Sequence, residues 1–492
     1  MTGGKDFGTA AIIGGGVIGA GWAARFALMG WDVRVFDPDP DGARNLNAVL
    51  ANARRSLPGL SDVALPPEGR LIWCNGMAEA VAQADWIQDS VRERLELKRE
   101  VYQTLQAAIS KDAIIGSSSS RYKPSDLQAG SARPGQIVVT HPCDPVYLLP
   151  VVELIASTAN PPAVVDRAAA ILTGIGMYPL RVRTECDAPL ADRLLKAVWR
   201  EALGMIRDGH ATTTEVDDAI RYGFGQCWAQ MGLFETCRIA GGEDGMRHFL
   251  AQFEYVLDRA RSTLTDVPQL DDALIDRIAD QSDVQSGQDG IQTLARTRDD
   301  NLVTILRGLK ARDYGAGTLL NAQDRRLDAL PRTLDDVADL SQPVRTLDRA
   351  VPLDWTDYNG HMNEARYLQA FGDATDRMMA LVGCDMAYVA SGESFFTAET
   401  HIRHVDEVRA GTRIHVVTQV LLVAGKKMHL FHEMFDGDRL LATGEHMLIH
   451  VNLTTRRAQD PDDRVAGPLG RIAQAHAALP WPAGAGRTVG RK

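Results

Sequence analysis

The chain has 492 residues, 45% hydrophobic and 24% charged, with a formal net charge of −11. That length exceeds what one hydrophobic core fills, so about two to four domains are expected. The acid excess excludes a concentrated basic face for nucleic acid, and six scattered cysteines with no CxxC pair exclude a disulfide scaffold or zinc knuckle and point to a reducing cytoplasm. The apolar run Ala10–Ala24 is glycine-rich, stops at Arg25 and lacks the basic start of a secretory signal. No apolar run reaches the roughly 20 residues a membrane span needs.

"TAAIIGGGVIGAGWAARFALMGWDVRVFDPD" reads as strand, glycine turn, helix and second strand. Gly14, Gly16 and Gly19 fit GxGxxG, with Val17 and Ile18 at the start of the helix. The first glycine permits the tight turn, the second lets a pyrophosphate approach the backbone, and the third lets the helix pack on the strand. Asp37 follows Gly16 by 21 positions, where an acid grips the ribose hydroxyls of NAD and repels the extra phosphate of NADP. The segments "ADWIQDSV", "AIIGSSSS" and "QIVVTHP" each predict a buried strand ending in a polar loop, and open parallel sheets bind ligands at those ends.

Three of these loops carry chemistry. The serine run Ser117–Ser120 ends one strand, His141 ends the next, and Glu153 lies in "PVVELIAS". Oxidising an alcohol needs a base for the hydroxyl proton, an oriented hydride acceptor and an anchor for the oxygen. Histidine suits the base, a carboxylate behind it fixes its tautomer, and a serine hydroxyl can hold the oxygen.

With these residues and the nucleotide motif, residues 8–320 resemble the 3-hydroxyacyl-CoA dehydrogenase superfamily. "HPCDPVYLLPVVEL" is closer to the branch acting on small 3-hydroxy acids, such as L-gulonate and L-carnitine, than to the acyl-CoA branch. The resemblance implies that Ser120, His141 and Glu153 are catalytic and that NAD is the cofactor. The family usually carries asparagine where this chain has Asp144, and often where it has Asp192. Added carboxylates there suit a cationic substrate better than an acyl-CoA.

From Ala188 the pattern turns helical, with Leu194, Leu195, Val198, Ala202, Met205 and Ile206 on one expected face and Thr214 or a neighbouring threonine as an N-cap. This stretch resembles the all-helical substrate and dimerisation domain of the same superfamily; "AGGEDGMRHFLAQF" is similar to the carnitine-oxidising branch. A trimethylammonium group is attracted to aromatic faces, which makes Trp228 and Phe234, with Phe224 and Tyr147, cage candidates. Arg121 is the candidate partner for a substrate carboxylate.

A charged stretch at 321–343 reads as a linker. Beyond it a strand, a loop and a long helix, on which Leu368, Phe371, Met378 and Val382 mark a face, lead into four alternating strands. One helix wrapped by an antiparallel sheet predicts a hotdog fold, and "DYNGHMNEARYL" resembles the Asp-x-x-Gly-His-x-Asn motif of hotdog acyl-CoA thioesterases. That resemblance implies Asp357 as nucleophile or general base, His361 and Asn363 at the thioester carbonyl, and Glu399 as a second carboxylate. Eight of the 12 histidines lie between 361 and 450. His401/His404 and His429/His432 are three apart in strands and face opposite ways, so no metal site is expected.

The expected architecture is an α/β Rossmann-type NAD domain (1–186), an all-α dehydrogenase domain (187–320), a linker (321–343), an α+β hotdog domain (344–456) and a loosely ordered tail (457–492). Fused chains of this kind imply NAD-dependent oxidation of L-carnitine and hydrolysis of betainyl-CoA by a cytoplasmic homodimer with no nucleic-acid or membrane partner. The alternative is another 3-hydroxy acid, gulonate-like or a 3-hydroxyacyl-CoA, with a generic acyl-CoA thioesterase.

Overall fold

A computed structural model describes residues 8–244, 246, 248–251, 271–286 and 290–487; part of the "AGGEDGMRHFLAQF" stretch and residues 252–270 lie outside them. The chain forms two units, one of Met1–Ala53 with Pro67–Asn321, the other of Arg54–Pro66 with Ala322–Lys492.

The first unit is built on eight strands: β1 (Thr9–Ile13), β2 (Asp32–Phe36), β3 (Leu71–Trp73), β4 (Trp86–Asp89), β5 (Ile114–Ser117), β6 (Ile137–Pro142), β7 (Val151–Ile155) and β8 (Tyr178–Arg181). They lie in the order β3-β2-β1-β4-β5-β6-β7-β8. All neighbours are parallel except β6 and β7. The central strands are buried on both faces, which is why Ala10–Ile13, Ile114–Ile115 and Ile137–Val139 are unbroken apolar runs. Strand order reverses between β1 and β4, and that switch point opens a crevice at their carboxyl ends. The antiparallel β6–β7 pair sets His141 directly opposite Glu153.

Helices follow, beginning with Leu190–Arg207. Its buried positions are Leu203, Gly204 and Ile206; Leu194 and Leu195, expected on the packed face, are exposed. Thr212, not Thr214, caps the next helix, Thr213–Ala219, in a reciprocal capping box with Glu215. The expected linker is partly helical, since Ala316–Leu327 runs into it.

In the second unit β9 (Val344–Ala350), β10 (Glu393–His404), β11 (Arg413–Ala424), β12 (Lys427–Asp436) and β13 (Arg439–Asn452) form an antiparallel sheet ordered β10-β13-β12-β11-β9. It wraps the helix Glu364–Leu381, which buries Tyr367, Ala370, Phe371, Ala374, Met378 and Leu381 at three- and four-residue spacing. Leu368, expected on that face, is exposed. A Cβ at Gly444 would lie 2.7 Å from the Phe371 ring, so glycine lets helix and sheet close. The tail is more ordered than expected: Asp462 caps the helix Asp463–His476, whose Val465, Leu469 and Ile472 join the core around Met378 and Leu430. Three apolar anchors supply the burial that a Pro/Gly/Ala-rich composition obscured.

That core holds histidines. His432 is bonded by Thr375 Oγ1 at 3.0 Å and Thr418 Oγ1 at 2.8 Å, while His446 Nε2 is buried without a partner. Burial pushes His432 well below the ordinary histidine value and His446 down to about 4. The unfolded chain therefore binds these protons more readily than the fold. The stability they contribute is complete above the unfolded value, about 6.5, and is lost as pH falls toward their folded values. The melting temperature of the second unit should drop between pH 7 and 5, and His446→Gln should flatten that slope in thermal melts.

Candidate active site

The glycine turn is built as its spacing requires. Gly14 has φ +98°, and a Cβ at Gly19 would lie 1.8 Å from the Gly14 carbonyl oxygen. A Cβ on Gly16 would meet nothing, so the backbone there is open to an approaching group. The helix Val17–Leu28 starts immediately after, with Val17 exposed and Ile18 half-buried at its first turn. Asp37 ends β2 pointing back at this turn: Oδ2 accepts from the Gly15 amide at 2.5 Å and Oδ1 from the Asp39 amide at 2.8 Å. A cavity of about 770 Å³ lies here, lined by Gly14, Gly16, Asp37, Met77, Ser90 and Arg92 among others. An open glycine backbone, a helix N-terminus and a carboxylate with lone pairs to spare fit the pyrophosphate and ribose of a dinucleotide.

Further along the sheet, His141 Nδ1 faces Glu153 Oε1 at 3.5 Å. That is an electrostatic contact, too long for a strong hydrogen bond. The fully buried Glu153 carboxylate is held from its other side: Oε2 accepts from the Leu190 amide at 2.5 Å and Oε1 from the Ala191 amide at 2.9 Å. These are free amides of the helix Leu190–Arg207, whose dipole favours the anion.

The serine run divides its labour. Ser117 donates to Asp89 at 2.8 Å, Ser118 accepts from Gln88 at 2.9 Å, and Ser119 donates to Glu93. The Ser120 hydroxyl makes no hydrogen bond among the described residues and is half-buried, which leaves it available to a substrate. Beside it Arg121 is exposed.

Sequence reasoning missed what lies beneath these serines. Lys98 Nζ is buried 2.9 Å from Asp89 Oδ2 and 3.5 Å from Glu93. Tyr102 donates to Asp89 at 2.6 Å, and burial, then that charge, push its phenol well above 10. The signal was legible: Lys98 sits in register with Tyr102 and Leu105, four and seven residues on, along a buried helix face.

Asp144 and Asp192 both lie near Cys143; burial pushes its thiol up, and the charges of Glu153, Asp192 and Asp144 add to that. Each aspartate has a cation: Arg298 is 3.0 Å from Asp144 and Lys196 is 2.5 Å from Asp192. Phe224 and Trp228 pair at 4.5 Å, Tyr147 is buried with its hydroxyl donating to Asp299 at 2.6 Å, and Phe234 is 74% exposed.

In the second unit, the Asp357 loop is closed by the Asp357 amide donating to the His361 carbonyl at 2.9 Å. Asp357 Oδ1 accepts from the Asn359 amide at 2.8 Å, which leaves Oδ2 for chemistry. Asn363 is the N-cap of the helix Glu364–Leu381, its Oδ1 accepting from Ala365 at 3.0 Å. His361 is braced on both ring nitrogens, Nδ1 facing Glu407 at 3.2 Å and Nε2 accepting from Arg409 at 3.4 Å. Glu399 is exposed and pairs with Met447 across β10–β13.

A dinucleotide-binding sheet followed by a helical domain, with a separate hotdog unit, defines a dehydrogenase joined to a thioesterase. Residues 9–186 match the family described as 3-hydroxyacyl-CoA dehydrogenase, NAD binding domain, residues 190–271 its C-terminal domain, and residues 351–469 the thioesterase-like superfamily. The chain is 59% identical to an L-carnitine dehydrogenase/betainyl-CoA thioesterase of Ruegeria pomeroyi, over 98% of this chain and 99% of that one. It is 47% identical to its namesake in Rhizobium meliloti over 98% and 99%. An L-carnitine dehydrogenase of Pseudomonas putida is 44% identical over 62% of this chain and 94% of its own. The solved structure of 5-formyl-3-hydroxy-2-methylpyridine 4-carboxylic acid 5-dehydrogenase shares the fold of the first unit, with TM-score 0.53 and 24% identity over 62% of this chain and 99% of that one.

The chain belongs to the L-carnitine dehydrogenase/betainyl-CoA thioesterase family. It is an enzyme, and NAD is its cofactor.

Because Glu153 serves both His141 and two helix amides, its replacement should cost stability as well as rate. Glu153→Gln should lower unfolding free energy by about 1–2 kcal/mol in urea melts, with carnitine oxidation falling far more than that loss of folded protein explains.

Proposed function

We propose that the first unit oxidises L-carnitine at its secondary alcohol to 3-dehydrocarnitine and that the second hydrolyses betainyl-CoA to glycine betaine and CoA. The observation that carries the first half is the His141–Glu153 pair at 3.5 Å in one antiparallel register, with Ser120 following β5, the strand paired with the one that carries His141. NAD, held by Gly14, Gly16, Val17, Ile18, Gly19 and Asp37, supplies the hydride acceptor. Ser120 holds the substrate oxygen, His141 takes its proton, and Glu153 stabilises the imidazolium that results. The pairs Asp144–Arg298 and Asp192–Lys196 present both signs of charge beside that site. This suits a zwitterion carrying a carboxylate and a trimethylammonium group. Arg121 assists at the carboxylate, and Phe224 with Trp228, rather than Phe234, offers an aromatic face to the cation.

In the second unit Asp357 acts on the thioester, as nucleophile or through a water, and the amides at the start of the helix Glu364–Leu381 stabilise the oxyanion. The working division is a dehydrogenase over 1–320 and a thioesterase over 344–456, with the helix Asp463–His476 completing the latter. The enzyme works in the cytoplasm as a homodimer. The exposed Leu194, Leu195 and Trp199 on one helix, and the edge position of β10, support self-association. No helix of the described residues is long and apolar enough to cross a membrane.

Paired assays on one preparation test this. His141→Asn should lower kcat for carnitine oxidation on the order of 100- to 10,000-fold and leave betainyl-CoA hydrolysis intact. Asp357→Ala should do the reverse. Brisk turnover of gulonate without turnover of L-carnitine would overturn the substrate assignment.

A further inference from the structure

Residues 54–66 lie within the stretch matching the NAD-binding family, between β2 and β3 of that sheet, yet they group with the thioesterase unit. The chain leaves the first unit at Ala53, contributes this excursion to the second, and returns at Pro67. The excursion is packed in: Ser56, Leu57, Leu60 and Ser61 are buried, and the turn Leu57–Leu60 lies against β9. It is also anchored by hydrogen bonds, Ser61 Oγ donating to Asp324 Oδ1 at 2.6 Å and the Asp62 amide to Asp324 Oδ2 at 2.9 Å.

Asp62 then reaches inward. Its Oδ1 is 2.7 Å from Nη2 of Arg349, a β9 arginine only 2% exposed. A guanidinium so buried needs a counter-charge, because an uncompensated one costs several kcal/mol. The Arg349 guanidinium lies 4.3 Å over the ring of Trp355, which is 1% exposed. Trp355 Nε1 is buried without an acceptor among the described residues, so no hydrogen bond of its own fixes the indole. Stacking under Arg349 does, with Arg366 at 6.0 Å as a second cation. The Trp355 carbonyl accepts from the Asn363 amide at 2.8 Å, and Thr356 bridges Met362. These contacts close the loop that carries Asp357, two residues beyond Trp355.

We infer that Asp62, contributed from within the dehydrogenase sequence, is a positioning residue for thioester hydrolysis, acting through Arg349 and Trp355 on the Asp357 loop. The inference rests on the assignment of Asp357 to that reaction. One consequence is that the thioesterase is not a bead that can be cut from the chain at residue 322: the excised segment loses the counter-charge that sets its own catalytic loop.

The test uses the full-length enzyme with betainyl-CoA hydrolysis and carnitine oxidation measured on each preparation. Asp62→Asn should lower hydrolytic kcat roughly tenfold to a hundredfold, the scale of an ångström-level misplacement, with KM little changed and carnitine oxidation unaltered. Asp62→Glu should restore most of the loss, and Asp62→Asn should cost nothing further in an Arg349→Met background. An unchanged kcat overturns the inference. So does a fall that follows only the loss of folded protein in melts, with Asp62→Glu no better than Asp62→Asn. Should Asp62→Asn fail to fold, Arg349→Lys gives the same reading: it keeps a charge for Asp62 but removes the planar face from Trp355, and unchanged kcat again overturns it. Asp357→Asn, run alongside, separates the two ideas. If it hydrolyses as well as the native enzyme, the Asp357 assignment has failed and the inference with it; if it is inactive while Asp62→Asn is fully active, only the role of Asp62 has failed.

Discussion

A carboxylate with no exposed surface must be satisfied or it will not stay ionised. Glu153 is satisfied by the amides of Leu190 and Ala191, the first turn of the helix that opens the all-α domain. The dehydrogenase site depends on this constraint. It fixes where the helical domain begins relative to β7, and it holds the carboxylate in place opposite His141. The antiparallel turn between β6 and β7 is the other half of the device. In a purely parallel sheet the residue after His141 would leave toward a crossover helix; here the chain doubles back, and register alone sets Glu153 across from the ring. The geometry proposed for catalysis and the joint between the sheet and the helices share one set of contacts.

The hotdog unit solves a similar problem differently. Its sheet encloses Arg349 and His432, residues whose polar atoms cannot reach water. His432 is met by two threonine hydroxyls, and Thr418, one of the two, is itself 2.6 Å from Thr346 on β9. Depressed basicity keeps this histidine neutral, so no counter-charge is needed. An arginine has no such escape and is paired with Asp62. One buried base is handled by shifting its proton equilibrium and the other by importing an anion from a distant part of the chain.

Local motifs were readable because their physics is local. The glycines at 14, 16 and 19 and the acid at 37 belong to one strand-turn-helix-strand unit, and Asp357 to Asn363 belong to one turn and its cap. Among the four serines 117–120, the family resemblance pointed to Ser120, and the structure shows the other three holding Gln88, Asp89 and Glu93. What was not readable depends on long-range pairing. Nothing near Asp62 announces a partner 287 positions away. The tail helix was masked by composition: Pro468 and several glycines and alanines suggest disorder, while the burial of Val465, Leu469 and Ile472 depends on a sheet formed far upstream.

The two aspartates where the family usually has asparagine gain meaning only with their partners. Read alone, Asp144 and Asp192 make the alcohol site more negative. Paired with Arg298 and Lys196, they leave the local charge near balance while separating the signs in space. The Asp144–Arg298 pair is two-fifths exposed, and such pairs are worth only about 0–1 kcal/mol. A zwitterion can therefore take over both halves of a pair at little cost, its carboxylate meeting the guanidinium and its quaternary nitrogen the aspartate. A substrate with one charge would leave one half unmatched in a partly dehydrated site. Asparagine at both positions would offer hydrogen bonds but no such separation of charge. Under the proposed function, aspartate at both positions changes the kind of substrate the pocket balances, and the added acidity is only its visible half.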